Sequence, residues 1–182
     1  MAKILICSDL HGDAEACRAM LAVYEASGAE ELLLLGDLLY HGPRNDLPAG
    51  YAPKEVIALL SALPRAPICV RGNCDAEVDQ MVLPFPIRAD CARLSYDGVK
   101  MYATHGHHAS PDALPPLAAG EAFLYGHTHL YEARKNEDGI LLLNPGSVSL
   151  PKGGNPKTYA IYENRRFTVY DFAGNPLASM SI

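Results

Sequence analysis

Hydrophobic residues along the chain fall into short runs, and five of these runs end in polar side chains of the types that bind metals. The five segments are Lys3–His11 (KILICSDLH), Glu31–Asp37 (ELLLLGD), Ala66–Asn73 (APICVRGN), Lys100–His107 (KMYATHGH) and Ala122–His129 (AFLYGHTH). Apolar runs of this length predict buried strands. Because ligands of open α/β sheets collect beyond the carboxyl ends of the strands, we expect all five polar ends to share one crevice.

The first half of the chain alternates predicted strands with predicted helices. The strands cover Lys3–Ser8, Glu31–Leu35 and Pro67–Val70, and the helices cover Asp13–Ser27 and Pro53–Leu63. Asp13 is a candidate N-cap of the first helix, Gly28 ends that helix, and Pro53 lies in the first turn of the second helix. This βαβαβ order predicts parallel strands with helices on both faces of the sheet.

The second half predicts three antiparallel hairpins. They pair Ala92–Tyr96 with Val99–Thr104, Leu130–Lys135 with Ile140–Leu143, and Thr158–Glu163 with Arg166–Phe172. Asp97-Gly98 between the first pair is a strong hairpin turn. A parallel start followed by antiparallel hairpins predicts an α/β (α+β) fold in which two mixed sheets pack face to face with helices outside. Nothing in the composition divides the chain, so we expect a single domain over residues 1–182.

Composition and charge restrict the classes of function. Hydrophobic residues make up 49% of the 182 positions and charged residues 20%, which is typical of a soluble globular protein. The formal net charge of −6 argues against the broad positive surface that binds DNA or RNA. No stretch approaches the roughly 20 apolar residues that cross a membrane, and no signal peptide is recognisable. The five cysteines form no C-x-x-C pair, so we expect a reduced, cytoplasmic protein without membrane association.

Seven candidate ligands lie at the strand ends, and together they point to metal binding. They are Asp9, His11, Asp37, Asn73, His105, His127 and His129. A single aspartate or histidine at such a position is ordinarily a turn or structural residue, so the hypothesis depends on the whole set. Asp9 and His11 are two residues apart in a segment expected to be extended, so both side chains should project to the same side. The pair His127 and His129 has the same spacing.

The number and type of these ligands suggest the metals and the substrate. Seven groups are too many for one open site but suit two adjacent ions that share a carboxylate. Nitrogen and oxygen ligands without thiolate favour divalent transition metals, Mn first and Zn, Fe, Co or Ni as alternatives, over Ca or Mg. Two divalent ions and two aspartates leave a positive site, which would attract an anion such as phosphate.

At these residues the chain resembles the calcineurin-like metallophosphoesterases. The family blocks D-x-H, G-D, G-N-x-D, G-H and G-H-x-H occur in family order as Asp9–His11, Gly36–Asp37, Gly72–Asp75, His105–His107 and Gly126–His129. The Gly72-Asn73-Cys74-Asp75 block, the Asn144–Ser147 turn and the compact length are similar to the small YfcE-type phosphodiesterases. The resemblance covers nearly the whole chain, and five blocks in order are far more specific than any one of them.

The resemblance implies a four-layer sandwich and a dinuclear centre. One implied ion is held by Asp9, His11, Asp37 and His129, and the other by Asp37, Asn73, His105 and His127, with Asp37 bridging them. The implied reaction is hydrolysis of a small phosphodiester by a metal-bridging hydroxide, which attacks phosphorus in line with the leaving oxygen.

One position departs from the pattern of the larger family members. Their histidine after the asparagine, thought to protonate the leaving group, is replaced here by Cys74, while the following Asp75 is kept. A poor general acid matters most for basic leaving groups, so we expect a preference for diesters or for esters with good leaving groups. We therefore place Asn73, Cys74, Asp75 and His107 among the candidate catalytic residues, with His108 a further candidate acid. Arg71 and His107 are candidate substrate-binding residues, and Arg44 is another candidate phosphate contact.

Two alternative functions remain open at this stage. The retromer subunit built on this fold acts mainly as an interaction protein, so a scaffold role is one alternative, although a scaffold need not keep all seven ligands. A nucleotide phosphomonoesterase is another. Tyr40 and Tyr51, in the long loop Tyr40–Pro53, could stack on a base or form a contact between subunits of a homo-oligomer.

Overall fold

A computed structural model describes residues 2–182 as two β-sheets and three helices. The strands are β1 Lys3–Cys7, β2 Glu31–Leu34, β3 Ile68–Cys69, β4 Cys91–Tyr96, β5 Val99–Thr104, β6 Ala122–Leu124, β7 Tyr131–Lys135, β8 Leu141–Pro145, β9 Thr158–Glu163, β10 Arg166–Asp171 and β11 Pro176–Ser181. The helices are α1 Ala14–Ser27, α2 Pro53–Ser61 and α3 Glu77–Val82. None of these helices could cross a membrane.

Both sheets are mixed, which confirms the predicted fold class. The first has the order β11-β10-β9-β1-β2-β3, in which β1, β2 and β3 are parallel and β9 to β11 are antiparallel. The second has the order β4-β5-β6-β8-β7, with β5, β6 and β8 parallel. The three predicted hairpins are present as β4–β5, β7–β8 and β9–β10. The parallel strands end near one another, and the candidate ligands follow those ends.

Alternate residues of the central strands face two different cores. Leu5 and Cys7 of β1 pack in one cluster with the buried residues of α1 and α2. Ile4 and Ile6 pack in another cluster with apolar residues of the second sheet. The prediction of helices on both faces of the parallel strands is therefore wrong, since α1 and α2 cover one face and the second sheet covers the other.

Capping residues begin and end the first helix as the sequence predicted. The side chain of Asp13 accepts a hydrogen bond from the amide of Ala16 at 3.0 Å, and Gly28 ends the helix at φ 66°. The carboxylate of Asp13 also forms an ion pair with Lys157 at 3.2 Å, which ties the helix start to the loop before β9. These contacts fix the turn that carries His11.

Two elements were not predicted from the sequence. Helix α3 has six residues, none of them buried, so it lacks the apolar periodicity that identifies a helix. Strand β11 has one buried residue, Met180, among half-buried and exposed ones, so it lacks the alternation that identifies a strand, although it pairs with β10 across a short turn. Helix α3 matters for function because it borders the candidate site described next.

Candidate metal centre and its cleft

The candidate ligands lie on tight turns whose backbone is unusual for residues with large side chains. Asp9, His11, Asp37, His127 and His129 all have φ between 50° and 67°, in the left-handed region. The expectation that Asp9 and His11 lie in an extended segment is therefore wrong. Their side chains nevertheless converge, because each turn rotates its side chain into the crevice. Strain of this kind, repeated at five positions, is characteristic of functional sites.

Hydrogen bonds between neighbouring loops hold these turns. The amide of Asp9 donates to the carbonyl of Gly36 at 3.2 Å, and the amide of His11 donates to the carbonyl of Asp37 at 2.8 Å. The loops after β1 and β2 therefore continue the contact of the two strands beyond their ends. This pairing places Asp9 and Asp37 side by side.

Two glycines allow close backbone approach beneath the ligands. A Cβ on Gly72 would lie 2.1 Å from Oδ1 of Asp37, and a Cβ on Gly126 would lie 2.0 Å from the hydroxyl of Ser8. Any side chain at either position would displace the loop that carries a candidate ligand. The glycines of the G-N and G-H-x-H blocks are thus required because no side chain fits at either position.

Asp9, His11 and His129 form the first cluster of candidate ligands. Oδ1 of Asp9 is 3.2 Å from Nε2 of His129 and 3.6 Å from Nε2 of His11. The two Nε2 atoms are 3.2 Å apart. Oδ2 of Asp37 lies 3.7 Å from Nε2 of His11, so this carboxylate also reaches the cluster.

Asp37, Asn73 and His105 form the second cluster. Nε2 of His105 is 3.5 Å from Oδ2 of Asp37 and 3.0 Å from the amide oxygen of Asn73. The ring centroid of His127 is 5.1 Å from that of His105, which places His127 at the edge of this cluster. Because the same oxygen of Asp37 faces both clusters, its carboxylate is placed where a bridging ligand would be.

The backbone fixes which nitrogen of each buried histidine faces the centre. Nδ1 of His11, His105 and His129 lies against the carbonyl oxygens of Tyr40, Leu35 and Leu150 at 2.8, 2.6 and 2.5 Å. A carbonyl only accepts, so each Nδ1 carries the donated proton and each Nε2 faces inward. This arrangement is common around protein metal sites, where the second nitrogen orients the ligand.

The surroundings of Oδ1 of Asp9 indicate whether these residues fit a metal. This atom is fully buried and has no hydrogen-bond partner, while Oδ2 of the same carboxylate accepts from the amide of His127 at 3.0 Å. A buried carboxylate oxygen without a partner is costly. An oxygen and two imidazole nitrogens that converge within 3.6 Å are ligand types that fit a divalent cation.

The charges of the metal-free centre compensate one another through protons. Burial disfavours a charged His105, yet its hydrogen bond with Asp37 and the charges of Asp9 and Asp37 raise its pKa to about 9. Burial also opposes ionisation of Asp9, but contacts with His11 and His129 hold the pKa of that carboxyl well below its usual range. Without metal, protons on the histidines therefore supply the positive charge that the two carboxylates require.

Asp75 lies beneath the centre and faces the backbone. Oδ2 accepts hydrogen bonds from the amides of Gly72 at 2.7 Å and Asp37 at 2.8 Å, and Oδ1 accepts from the amide of Leu38 at 2.8 Å. Both oxygens are thereby occupied and the residue is buried. The sequence placed Asp75 among the candidate catalytic residues, and in the structure its carboxylate faces backbone amides of the turns that carry Asp37 and Asn73.

Cys74 lies between the carboxylates and the surface of the cleft. Its amide donates to Oδ1 of Asp37 at 2.8 Å, and its Sγ is 3.2 Å from the amide nitrogen of the Asn73 side chain. Burial, followed by the charge of Asp37, raises the pKa of this thiol to about 12. In the metal-free protein the thiol is therefore protonated at neutral pH.

A cleft of about 930 Å³ opens over the candidate ligands. Arg71 and Arg44 line it, as the sequence suggested, together with Thr128 and Lys152. Lys152 was missed because the loop that contains it has no strand-end signal. That loop is nevertheless tied to the centre, since the amide of Lys152 donates to the carbonyl of His129 at 3.1 Å.

His107 and His108 lie beside the centre but do not line this cleft. Their ring centroids are 3.9 Å apart, and the ring of His107 is 5.3 Å from that of His105. Burial, with the neighbouring charge of His105, lowers the pKa of His107 to about 4. The catalytic and substrate-binding roles expected for His107 stay predictions.

Comparisons with known proteins agree with the architecture of the fold. A family model for the calcineurin-like phosphoesterase superfamily domain matches residues 2–166. Phosphodiesterase YfcE of Escherichia coli (strain K12) is 46% identical over 164 residues, which cover 90% of this chain and 89% of YfcE.

Solved structures extend these comparisons to the whole chain. The structure of Yfce, a phosphoesterase from E. coli, matches with a TM-score of 0.96 and 43% identity over 99% of both chains. Vacuolar Protein Sorting 29 from Cryptosporidium parvum matches with a TM-score of 0.66 and 16% identity over 100% of this chain and 98% of its own, a likeness that shows the fold alone.

Proposed function

The chain belongs to the calcineurin-like phosphoesterase superfamily, and from this membership we propose that it is a metal-dependent phosphodiesterase acting on small phosphodiesters. The observation that carries the proposal is the inward-facing set formed by Oδ1 of Asp9 and the Nε2 atoms of His11 and His129. Their convergence within 3.6 Å suits a divalent cation. The relative that is 46% identical is named a phosphodiesterase, which supports the same substrate class.

Two divalent transition-metal ions, Mn foremost, complete this proposal. Asp9, His11, Asp37 and His129 would hold one ion, and Asp37, Asn73, His105 and His127 the other, with Asp37 shared. The convergence of the two clusters on Oδ2 of Asp37 supports this division. When bound, the ions supply positive charge to the phosphate and lower the pKa of attacking water.

Side chains of the cleft would bind and orient the substrate. Arg71 and Lys152 provide cations on the cleft wall of an otherwise acidic protein, so a phosphate anion would be drawn to this side of the molecule. Arg44 lies on the long loop and would contact the more distant part of a substrate. Asp75 would position Asp37 through its hydrogen bonds to the backbone.

Diester preference follows from the groups available to protonate the leaving oxygen. Cys74 occupies the position expected for a general acid, and His107 lies outside the cleft. A site with a weak acid favours leaving groups that need little protonation. A scaffold role is disfavoured because a purely structural protein has no need for buried, unpartnered ligand atoms.

A cytoplasmic location belongs to the same proposal. All five cysteines are free in the structure, which suits a reducing compartment. The net charge of −6 favours a small substrate over a long nucleic acid. Self-association remains a prediction.

Hydrolysis of bis(4-nitrophenyl) phosphate and of 4-nitrophenyl phosphate tests the proposed function. Protein stripped with a chelator would receive Mn, Zn, Ni, Co or Mg singly, with metal content measured in parallel. We expect about two ions per chain and metal-dependent turnover that favours the diester. The Asp9→Asn variant is the control, since it keeps the shape of the side chain but should lose bound metal and activity together. Stoichiometric metal binding without turnover of either ester would favour a scaffold.

A further inference from the structure

A second pocket, about 350 Å³ in volume, adjoins the candidate active site. It lies between the loop that follows β2, the start of α2, and α3. Its lining residues include Tyr40, Tyr51, Ile57, Val78 and Val82. Cys74 and Ala76 line both this pocket and the metal-side cleft, as does Tyr40, so the two cavities share a wall. We call it the apolar pocket.

The lining of the apolar pocket is suited to an uncharged ring. Asp79 is the one charged residue among its lining residues, and Oδ2 of this carboxylate accepts a hydrogen bond from the amide of Ala76 at 2.8 Å. Aliphatic side chains and two tyrosine rings form most of the remaining wall. Pockets with this composition bind the apolar portions of small ligands.

Aromatic contacts hold the two tyrosines of the apolar pocket in place. The ring of His41 packs edge-to-face against Tyr40 with a centroid distance of 4.7 Å, and against Tyr51 with a centroid distance of 5.3 Å. Three rings in sequence restrict the rotation of both tyrosines. A wall that is already ordered loses little conformational entropy when a ligand binds.

The rim of the apolar pocket exposes hydrophobic surface that the fold itself does not use. Val78 is 59% exposed, Val82 is 46% exposed and Tyr40 is 42% exposed. Single exposed apolar side chains are ordinary, but a contiguous group around a concave site indicates binding. The position beside a phosphoesterase cleft indicates which ligand binds there.

Cys74 connects the apolar pocket to the proposed reaction centre. Its backbone amide binds the carboxylate of Asp37, while its side chain lines the shared wall. A phosphodiester carries two substituents, and one of them can lie in the cleft lined by Arg71 and Lys152. The other substituent, directed past Cys74, would enter the apolar pocket.

We propose that the apolar pocket is a substrate subsite that binds an aromatic ring on one ester substituent of the phosphodiester. This inference rests on the proposed phosphodiesterase function and specifies its substrate class. A cavity of about 150 Å³ is enough for benzene, so 350 Å³ accommodates one ring with its linking atoms. Continuity with the cleft favours substrate over a second copy of the chain as the occupant.

Substitutions on α3 separate this role from a general effect of the helix. Val82→Asp and Val78→Asp introduce a charge at the rim of the apolar pocket. Met81→Asp is the matched control, because Met81 is 82% exposed on the same helix and does not line the pocket. All three replaced side chains are exposed, and circular dichroism with thermal melting would verify folding.

The kinetic readout compares two diesters with the same leaving group. Bis(4-nitrophenyl) phosphate and methyl 4-nitrophenyl phosphate both release 4-nitrophenolate, but only the first carries a second ring. We expect Val82→Asp and Val78→Asp to lower the ratio of their kcat/KM values about tenfold, a usual effect of losing one apolar subsite contact. Met81→Asp should leave the ratio unchanged. An unchanged ratio in both rim variants would overturn the subsite.

A binding measurement separates failure of the subsite from failure of the proposed function. Calorimetry with Mn-loaded protein would compare phenylphosphonate with methylphosphonate, neither of which is turned over. We expect phenylphosphonate to bind about tenfold more tightly to wild type and to Met81→Asp, with the difference lost in Val82→Asp. This result would support the subsite even if both diesters proved inert, an outcome that would count against the phosphodiesterase function alone.

Sedimentation of the same variants distinguishes a contact between copies of the chain. If the apolar pocket is a substrate subsite, wild type and the three variants have the same mass in solution. A dimer that dissociates in Val82→Asp and in Met81→Asp alike, with equal binding of the two phosphonates, would assign the surface to self-association and overturn the proposal.

Discussion

At the scale of single residues, Asp75 illustrates how a buried carboxylate can connect two turns through backbone amides. Its two oxygens accept three amide hydrogen bonds, from Gly72, Asp37 and Leu38. Those amides belong to the two turns that carry Asp37 and Asn73. The sequence block contains Asp75 beside residues expected to be catalytic, but the block alone cannot show which way its side chain points. The hydrogen bonds identify its contribution as the alignment of two ligand-bearing loops.

Replacement of Asp75 by asparagine should weaken metal binding and the fold together. An amide nitrogen in place of one oxygen cannot accept a backbone N–H, so at least one buried amide loses its partner. We expect the free energy of unfolding in urea to fall by about 1–3 kcal/mol, and Mn affinity to fall with it. Asp79→Asn is the control, because Asp79 accepts a comparable bond from Ala76 in an exposed setting. Unchanged Mn affinity in Asp75→Asn would contradict the positioning role.

Replacement of Cys74 by histidine should broaden the range of leaving groups. Burial and the charge of Asp37 raise the pKa of the Cys74 thiol to about 12 in the metal-free protein, and such a thiol is a weak acid at pH 7. An imidazolium group titrates closer to neutral pH and donates a proton more readily.

The gain should depend on the basicity of the leaving group. We expect Cys74→His to raise kcat/KM at least about tenfold for an alkyl phosphomonoester, within the usual range for a general acid. Esters of 4-nitrophenol, whose leaving group needs little protonation, should change much less. Cys74→Ser provides the comparison for altered size and polarity. Equal changes for both classes of ester would exclude the leaving-group explanation.

At the scale of elements, the strands were predictable and the conformation of their ends was not. Continuous apolar runs such as Leu32–Leu35 are buried in the structure and precede the candidate ligands. The left-handed conformation of His11 and His129 depends on hydrogen bonds with other loops, which no local pattern encodes. The same reason accounts for Lys152, whose place in the cleft follows from a bond to the turn at His129.

The layer that covers each face of the parallel strands was a second feature that the sequence pattern could not predict. The βαβαβ order correctly predicted parallel strands, but it could not show which layer would cover each face. Ile4 and Leu5 of β1 are both fully buried, one against the second sheet and the other against the helices. A strand buried on both faces has the same apolar pattern whether a helix or a sheet lies over it.

Gly36, between β2 and the candidate metal centre, lies so close to the backbone of Gly72 that a side chain should not be tolerated there. A Cβ there would lie 2.4 Å from the amide nitrogen of Gly72, and φ is +95°. We expect Gly36→Ala to lower the free energy of unfolding by about 2–5 kcal/mol, from left-handed strain together with steric overlap. Metal affinity should fall as well, because the displaced loop carries Asp37. Thermal melting and Mn titration would measure the two effects.

Gly120→Ala is a matched control for this substitution. Gly120 has a similar φ of +85°, but a Cβ there would meet no other atom within 4 Å. We therefore expect a cost of about 1 kcal/mol from backbone strain alone, with normal Mn affinity. Equal losses in the two variants would mean that conformation, and not the close contact of the loops, makes Gly36 necessary.

At the scale of the whole molecule, the candidate centre joins the two sheets. Asp9 and Asp37 follow strands of the first sheet, whereas His105 and His129 follow strands of the second. A cation bound between these loops would therefore stabilise the packing of the sheets as well as the site. Binding at 100 times Kd contributes about 2.7 kcal/mol per ion when only the folded state binds.

The pH dependence of stability should reveal the same centre in chelated protein. The pKa of His105 is raised to about 9, and that of His11 is also raised, above the ordinary value near 6.5. Both groups stabilise the folded state fully below pH 6.5. The contribution of His105 is lost as the pH rises through about 9, and that of His11 is lost as the pH rises through its own raised pKa. The lowered pKa values of Asp9 and Asp37 affect stability only at acid pH, because the stabilisation that these carboxylates contribute is lost only as the pH falls below about 4.

We therefore expect the Tm of chelated protein to fall by several degrees between pH 7 and pH 9. The lowered pKa values of His107 and His127 do not interfere, because both side chains are already neutral throughout this range. Saturating Mn should reverse the trend, since metal binding requires unprotonated imidazoles and strengthens as protons leave. Melting curves at several pH values, with and without Mn, would test both slopes. A flat Tm in chelated protein would mean that His105 is uncharged at pH 7 and that the two carboxylates are compensated in another way.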